Sequence, residues 1–192
     1  MEFDFFAYLS RMRYIKRWSL MHSVIEENIA EHSDEVTVIS HALCEIGKEY
    51  FGKTYDLEKV LLYALYHESS EVITGDLPTP IKYYNKEINS AYKDLESKAC
   101  EKLLRSLPEK LKPHYTACLV HDEHSAEYKI VKFADKISAY IKCVLEVKSG
   151  NKEFNKAKQS IFKQLKEITD EEVVFFLKFV MPVYEKSLDE LD

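Results

Sequence analysis

Residues 125–150 read SAEYKIVKFADKISAYIKCVLEVKSG, and this stretch decides the fold class. Ile130, Val131, Ala134, Ile137, Ile141 and Leu145 recur at spacings of three and four, which is the period of an α-helix and not the alternation of a strand. Ser125 stands where a side-chain oxygen can accept from a free backbone N–H of the first turn, and Ser149-Gly150 closes the segment. One residue sits uneasily in such a helix. Asp135 lies beside the apolar stripe.

The same period extends outward in both directions. Asn28 with Glu31 three residues later predicts a helix start, after which His32, Val36, Ile39, Leu43 and Ile46 share a stripe up to Gly47. Asp56 predicts a second start, with Val60, Leu61, Ala64, Leu65 and Val72 facing inward until Gly75 and Pro78 end the helix. A third helix is expected from about Glu87, carrying Ile88, Tyr92, Leu95, Ala99 and Leu103 up to Pro108, and a shorter one with Leu111, Tyr115, Cys118 and Leu119. Downstream, residues 154–168 read as a helix. Thr169 and Glu172 then suggest a capping box before Val173, Leu177, Val180 and Tyr184, with a kink at Pro182. Only four glycines and five prolines interrupt the chain. The expectation is an all-α, single-domain helical bundle over residues 1–192.

Composition excludes several classes. With 46% hydrophobic and 31% charged residues, no window approaches the roughly 18 consecutive apolar residues of a membrane span, so no membrane partner is expected. The start MEFDFFAYLSRMRY lacks the basic-then-apolar order of a secretory signal, which predicts a cytoplasmic protein. Cys44, Cys100, Cys118 and Cys143 form no C-x-x-C pair and read as buried thiols. A formal net charge of −6 argues against binding a nucleic acid polymer, whose affinity comes largely from neutralised phosphates.

Three helices nevertheless bring His32, His67 and Asp135 onto or beside faces that should be buried. Taken singly, an inward histidine is ordinarily a hydrogen-bonded core residue and an inward aspartate a salt-bridge partner. Together they point to a metal site or a buried polar network, because a buried charged carboxylate costs several kcal/mol (about 3 to 5 when its partner is removed) unless paired or metal-bound. Two imidazoles with carboxylate oxygens suit one divalent transition ion, Mn, Co, Zn, Fe or Ni. In "LYHESSEVITGDLPTP", residues 65–80, helical spacing puts His67 and Glu71 on one face with Glu68 about 100° round the axis. Glu71 one turn along suits a general acid or base acting on a metal-activated water. The literal His121-Asp122 pair is a rival, but it stands just ahead of the Ser125 helix start, where acidic residues suit the dipole. Ser69 and Ser70 lack the G-x-S-x-G turn of a nucleophile.

The ordered set His32, His67-Glu68 and Asp135 resembles the H…HD…D signature of the HD-domain metal-dependent phosphohydrolases. "RYIKRWSL", "ENIAEHS", "YHESSEVITGDLPTPIKYYN" and "KFADKISAYIKC" are similar to the bacterial 5′-deoxynucleotidases of that superfamily over nearly the whole chain. The resemblance implies a homodimeric HD domain that removes the 5′-phosphate of deoxyribonucleoside 5′-monophosphates. It implies His32, His67, Glu68 and Asp135 as ligands of one divalent metal and Glu71 as the residue that activates the water. It further assigns Arg17 to the phosphate, Trp18 to the sugar pocket, and Asp76, Leu77, Pro78 and Thr79 to the loop that holds the deoxyribose. One position departs from the pattern: the aspartate of the HD pair is Glu68 here. Two alternatives therefore stand beside this expectation. They are another HD-type nucleotide phosphohydrolase, a pyrophosphatase or phosphodiesterase, and a weakened nucleotide-binding module.

Overall fold

Helices begin where a side chain can accept from backbone N–H groups that lack a helical partner. The computed structural model describes residues 3–191. Helix α1 (Asp4–Leu9) runs into a tight turn at Ser10–Tyr14, and α2 (Ile29–Phe51) starts at Asn28. Asn28 Oδ1 accepts from the N–H groups of Ala30 and Glu31 at 3.0 and 3.1 Å, and the Glu31 carboxylate accepts from the Asn28 N–H at 3.3 Å. This is the reciprocal cap expected from the sequence. Helix α3 (Leu57–Tyr66) is capped by Asp56, which accepts from the Lys59 N–H at 3.1 Å. Two single turns follow, α4 (Glu71–Thr74) and α5 (Thr79–Lys82), then α6 (Lys86–Arg105) and α7 (Lys112–Leu119). Helix α8 (Ala126–Lys148) starts at Ser125, whose hydroxyl accepts from the Tyr128 N–H at 3.1 Å. After it come α9 (Asn155–Lys166) and α10 (Glu171–Phe175). No strand forms among the described residues, apart from one antiparallel bridge between Lys16 and Asn28.

Contacts divide the chain into two compact units. The first takes residues 1–22, 26–34 and 65–122, and its apolar centre is Phe5, Leu103, Leu107 and Leu119, with Tyr115 edge-on to Phe5 at 4.7 Å. The second takes residues 23–25, 35–64 and 123–192. Its core gathers Val36, Ile39 and Leu43 from α2, Val60 and Ala64 from α3, and Ile130, Val131, Ala134, Ile137 and Ile141 from α8. These are the stripes that the periodicity singled out.

Several details differ from the sequence reading. The helix expected to run from Asp56 to Gly75 stops at Tyr66, and residues 67–70 form a turn before α4. Here the backbone bonds reach three residues back: Ser69 N–H to Tyr66 O and Glu71 N–H to Glu68 O, both at 3.0 Å. Serines favour such local alternatives to the helix. Leu65, Ile88 and Leu95 are exposed, while Tyr63 takes a buried place. The expected Thr169–Glu172 box is absent as well. Asp170 precedes α10, and the fully buried Glu172 carboxylate instead accepts from Lys53 Nζ at 2.5 Å and Tyr55 OH at 2.7 Å. A buried charge gains more from an ammonium and a hydroxyl than from a helix end. Near Pro182 the chain forms a π-helical turn at Phe176–Val180 and then a tight 3₁₀ turn at Met181–Glu185, which accommodates the missing N–H.

One buried ion pair ties the second unit together. Glu146 accepts from Lys142 Nζ at 2.5 Å, Asn151 Nδ2 at 2.8 Å, and the N–H groups of Val24 and Ile25 at 2.9 and 3.0 Å. Burial pushes its carboxyl upward, but these donors outweigh that and hold it at about 2 instead of 4.5. A lowered native pKa contributes stability that is present above the unfolded value and lost as pH falls toward the folded one. The melting-temperature advantage of wild type over Glu146→Gln should therefore be full above about pH 5 and shrink toward about pH 2, read by circular dichroism melts across that range. An advantage that stays constant would mean that the ionised carboxylate is not its source.

Candidate metal centre

The site in the first unit is assembled by two short segments held side by side. Arg17 N–H donates to Glu27 O and Ile29 N–H to Ile15 O, both at 3.0 Å, which sets residues 15–18 against residues 27–29. At the end of this pairing Trp18 adopts φ 60°, the sole non-glycine residue with positive φ among those described. Such a conformation costs on the order of 1 to 3 kcal/mol and persists where surrounding contacts impose it. Two are visible: Met21 N–H closes on Trp18 O at 2.8 Å, and the indole Nε1–H donates to Glu27 Oε2 at 3.0 Å. Trp18 is half-buried and so is not the core anchor that a lone tryptophan ordinarily is.

His32 lies in the first turn of α2 and is fully buried. Its Nε2 is 3.4 Å from His67 Nε2 and 3.9 Å from Glu68 Oε1, and the last two atoms are 3.3 Å apart. Atoms ligating one ion at about 2.1 Å with tetrahedral angles stand about 3.4 Å apart, so the three donors have nearly the spacing an ion needs. Asp135 lies on α8 in the second unit and is paired with Lys132 at 2.8 Å. The opposite edge of His32 carries a different set. Arg17 Nη1 lies 2.5 Å from Nδ1 and donates to Glu27 Oε1 at 2.8 Å, and that oxygen is 3.5 Å from Nδ1.

The turn at residues 67–70 changes how the acids meet. Bonds that reach three residues back bring Glu68 and Glu71 onto one side, where an α-helix would have aligned Glu71 with His67. Burial, the adjacent Glu68 charge and a hydrogen bond to Glu68 push Glu71 up to about 11, with Asp76 adding to the rise and Arg17 opposing it. Asp76 is raised by burial and by Glu68, against the pull of Arg17, His32 and Lys82. Burial also works to raise Glu27, but the His32 ring and the Arg17 guanidinium beside it hold it at about 2. Glu68, Glu71 and Asp76 thus crowd carboxyl groups beside two imidazole nitrogens, and without a cation Glu71 holds its proton. A divalent cation relieves that crowding, and the donor set fits one.

The residues named from sequence fall as follows. His32, His67 and Glu68 come together, Glu71 bonds to Glu68, Arg17 and Asp76 act on the same charges, and Asp135 belongs to the second unit. Leu77 and Pro78 are half-buried in the loop after Gly75, while Thr79 is exposed at the start of α5. Gly75 takes φ 74°, which a side chain would resist, and its carbonyl accepts from Tyr92 OH at 3.2 Å. His121 and Asp122 are outside the ligand set. Glu27 was missed. It follows Arg17-Trp18 by nine and ten positions with no periodic relation to them, and beside Glu26 it reads as an ordinary acidic loop.

Residues 4–184 match the family profile described as 5′-deoxynucleotidase YfbR-like. The chain belongs to that family. A 5′-deoxynucleotidase of Vibrio parahaemolyticus is 47% identical over 99% of this chain and 98% of its own. Among solved structures, an HD-domain phosphohydrolase of Listeria innocua superposes with a TM-score of 0.84 at 25% identity, over 94% of this chain and 88% of that one. A cyanophage S-2L HD phosphohydrolase, described as bound to dA and one catalytic Zn²⁺ ion, shares the fold with a TM-score of 0.66 at 18% identity, over 92% of this chain and 95% of that one. The all-α HD fold and the family expected from the sequence are both borne out.

If the two Nε2 atoms and Glu68 hold a metal, removing one of them leaves too few donors. His67→Ala should lower the metal content of purified protein by roughly 10-fold or more, read by mass spectrometry of bound Mn, Co, Zn, Fe and Ni. Wild-type content in that variant would place the ion elsewhere.

Proposed function

We propose that the protein hydrolyses the 5′-phosphate of deoxyribonucleoside 5′-monophosphates, releasing nucleoside and inorganic phosphate. The convergence of His32 Nε2, His67 Nε2 and Glu68 Oε1, in a chain of this family, carries the reading. We treat residues 1–192 as one HD domain, since the family match runs through both units. His32, His67, Glu68 and Asp135 would hold one divalent transition metal. That ion, when bound, supplies a Lewis acid that acidifies a water and offsets charge on the phosphoryl oxygens.

The protein's own groups account for the remaining steps. With a cation bound to offset the Glu68 charge, Glu71 would be ionised and would take a proton from the attacking water, which adds to phosphorus as the bond to the 5′-oxygen breaks. The leaving 5′-oxygen takes that proton from Glu71, and because water is the nucleophile no covalent intermediate is needed. Arg17 presents N–H donors in the fixed fork that matches phosphate oxygens. Asp76 accepts from the sugar 3′-hydroxyl, and Leu77, Pro78 and Thr79 line its loop. Trp18 closes the sugar pocket with an apolar wall, and enclosing an unpaired 2′-hydroxyl there costs roughly 1 to 3 kcal/mol, about 5- to 150-fold in preference. Glu68 replaces an aspartate, and the tight turn beneath it compensates by setting its oxygen 3.3 Å from His67 Nε2.

We further propose a cytoplasmic homodimer. Tyr50 and Phe179, exposed on either side of Phe175 at 4.5 and 4.7 Å, support the second part. Among the described residues no helix is long and apolar enough to cross a membrane.

The reading is tested by phosphate release from deoxy- and ribonucleoside monophosphates with Mn, Co, Zn, Mg or no metal added. Pyrophosphate and diester products are followed in parallel. Deoxynucleotide monoesters should be the best substrates, and Glu71→Ala should lose roughly 100-fold or more in kcat while keeping its metal content. Pyrophosphate or diester products would favour the other HD chemistries, and inactivity on every substrate a binding module. Trp18→Ala should bring the deoxy-to-ribo ratio of kcat/KM down by roughly 5-fold or more. An unchanged ratio would remove Trp18 from sugar selection.

A further inference from the structure

The carboxylate of Glu27 touches three groups to which the proposed reaction gives separate tasks. Oε1 accepts from Arg17 Nη1 at 2.8 Å and lies 3.5 Å from His32 Nδ1, and Oε2 accepts from Trp18 Nε1 at 3.0 Å. Its backbone carbonyl also holds the Arg17 N–H. The side chain is largely buried, at 12% exposure, so these are not loose surface pairings.

The chemistry of the imidazole gives this arrangement a direction. Arg17 carries only donors, so its 2.5 Å approach to His32 Nδ1 uses the Nδ1 lone pair, and a neutral ring then keeps its proton on Nε2. Nε2 is the nitrogen that faces His67 and Glu68. For Nε2 to ligate, the proton must move to Nδ1, and the carboxylate beside Nδ1 to receive that N–H is Glu27. The same exchange displaces the Arg17 N–H from the ring and leaves it for a phosphate oxygen.

We infer that Glu27 is the positioning residue of this site, orienting the metal-facing His32 ring, the phosphate-facing Arg17 fork and the sugar-facing Trp18 indole through one carboxylate. The inference rests on the proposed metal site and phosphate role, and it adds that they are mechanically linked. It also explains the positive φ of Trp18: the indole is held to Glu27, and the backbone bends to reach it.

The test compares wild type, Glu27→Gln, Glu27→Ala and Arg17→Ala, each with its helicity checked by circular dichroism. The glutamine is isosteric and keeps the experiment decisive should the alanine fail to fold. Mn²⁺ affinity by titration calorimetry should fall roughly 10- to 100-fold in Glu27→Gln and hardly change in Arg17→Ala. Emission of Trp18, the single tryptophan, should shift in Glu27→Gln without metal or substrate. In kinetics, the rise in KM caused by Arg17→Ala should largely vanish in the Glu27→Gln background, since the fork is already misplaced there. Wild-type Mn²⁺ affinity or wild-type Trp18 emission in Glu27→Gln would overturn the inference. A wild type that binds Mn²⁺ but releases no phosphate would defeat the substrate reading alone, because the affinity and emission measurements would still decide the role of Glu27. A wild type that binds no divalent metal would defeat both.

Discussion

Several acids kept close together in a largely dry place must either take up protons or have a positive charge among them. Glu68, Glu71 and Asp76 are crowded beside the two Nε2 atoms, and burial together with the Glu68 charge pushes Glu71 and Asp76 upward. Arg17 offsets part of it, but its guanidinium is already engaged by Glu27. The proposed cation would supply the rest of that positive charge.

The break between α3 and α4 bears on the same crowding. A continuous helix would have set Glu71 in line with His67 and pointed Glu68 away, about 100° round the axis. The tighter turn at residues 67–70 instead gathers Glu68 with Glu71 and leaves the His67 and Glu68 donors 3.3 Å apart. On the other side of His32, the bridge at Lys16 and Asn28 holds Arg17 and Trp18 against Glu27 and fixes the Trp18 backbone in a conformation it would not adopt alone.

Family membership and site geometry support one another without repeating the same information. The match over residues 4–184 gives the chemistry its class. The distances bring His32, His67 and Glu68 together, and they add Glu27, which no motif in the chain announces.

Periodicity in the sequence determined the helices and their cores. The stripes of α2 and α8 and the caps at Asn28, Asp56 and Ser125 were all legible, because they depend on spacing and on bonds between residues a few positions apart. His32, His67 and Asp135 were legible as candidates for a related reason, since ionisable side chains on or beside apolar faces stand out, and Glu68 joined them through the resemblance to the HD signature. The tertiary structure decided what local spacing does not contain. It ended α3 at Tyr66, turned Glu172 from a cap into a buried partner of Lys53 and Tyr55, and brought Glu27 against Arg17, Trp18 and His32. Those outcomes depend on the desolvation and pairing of charges that are distant along the chain or lie in irregular segments, where no repeat connects them.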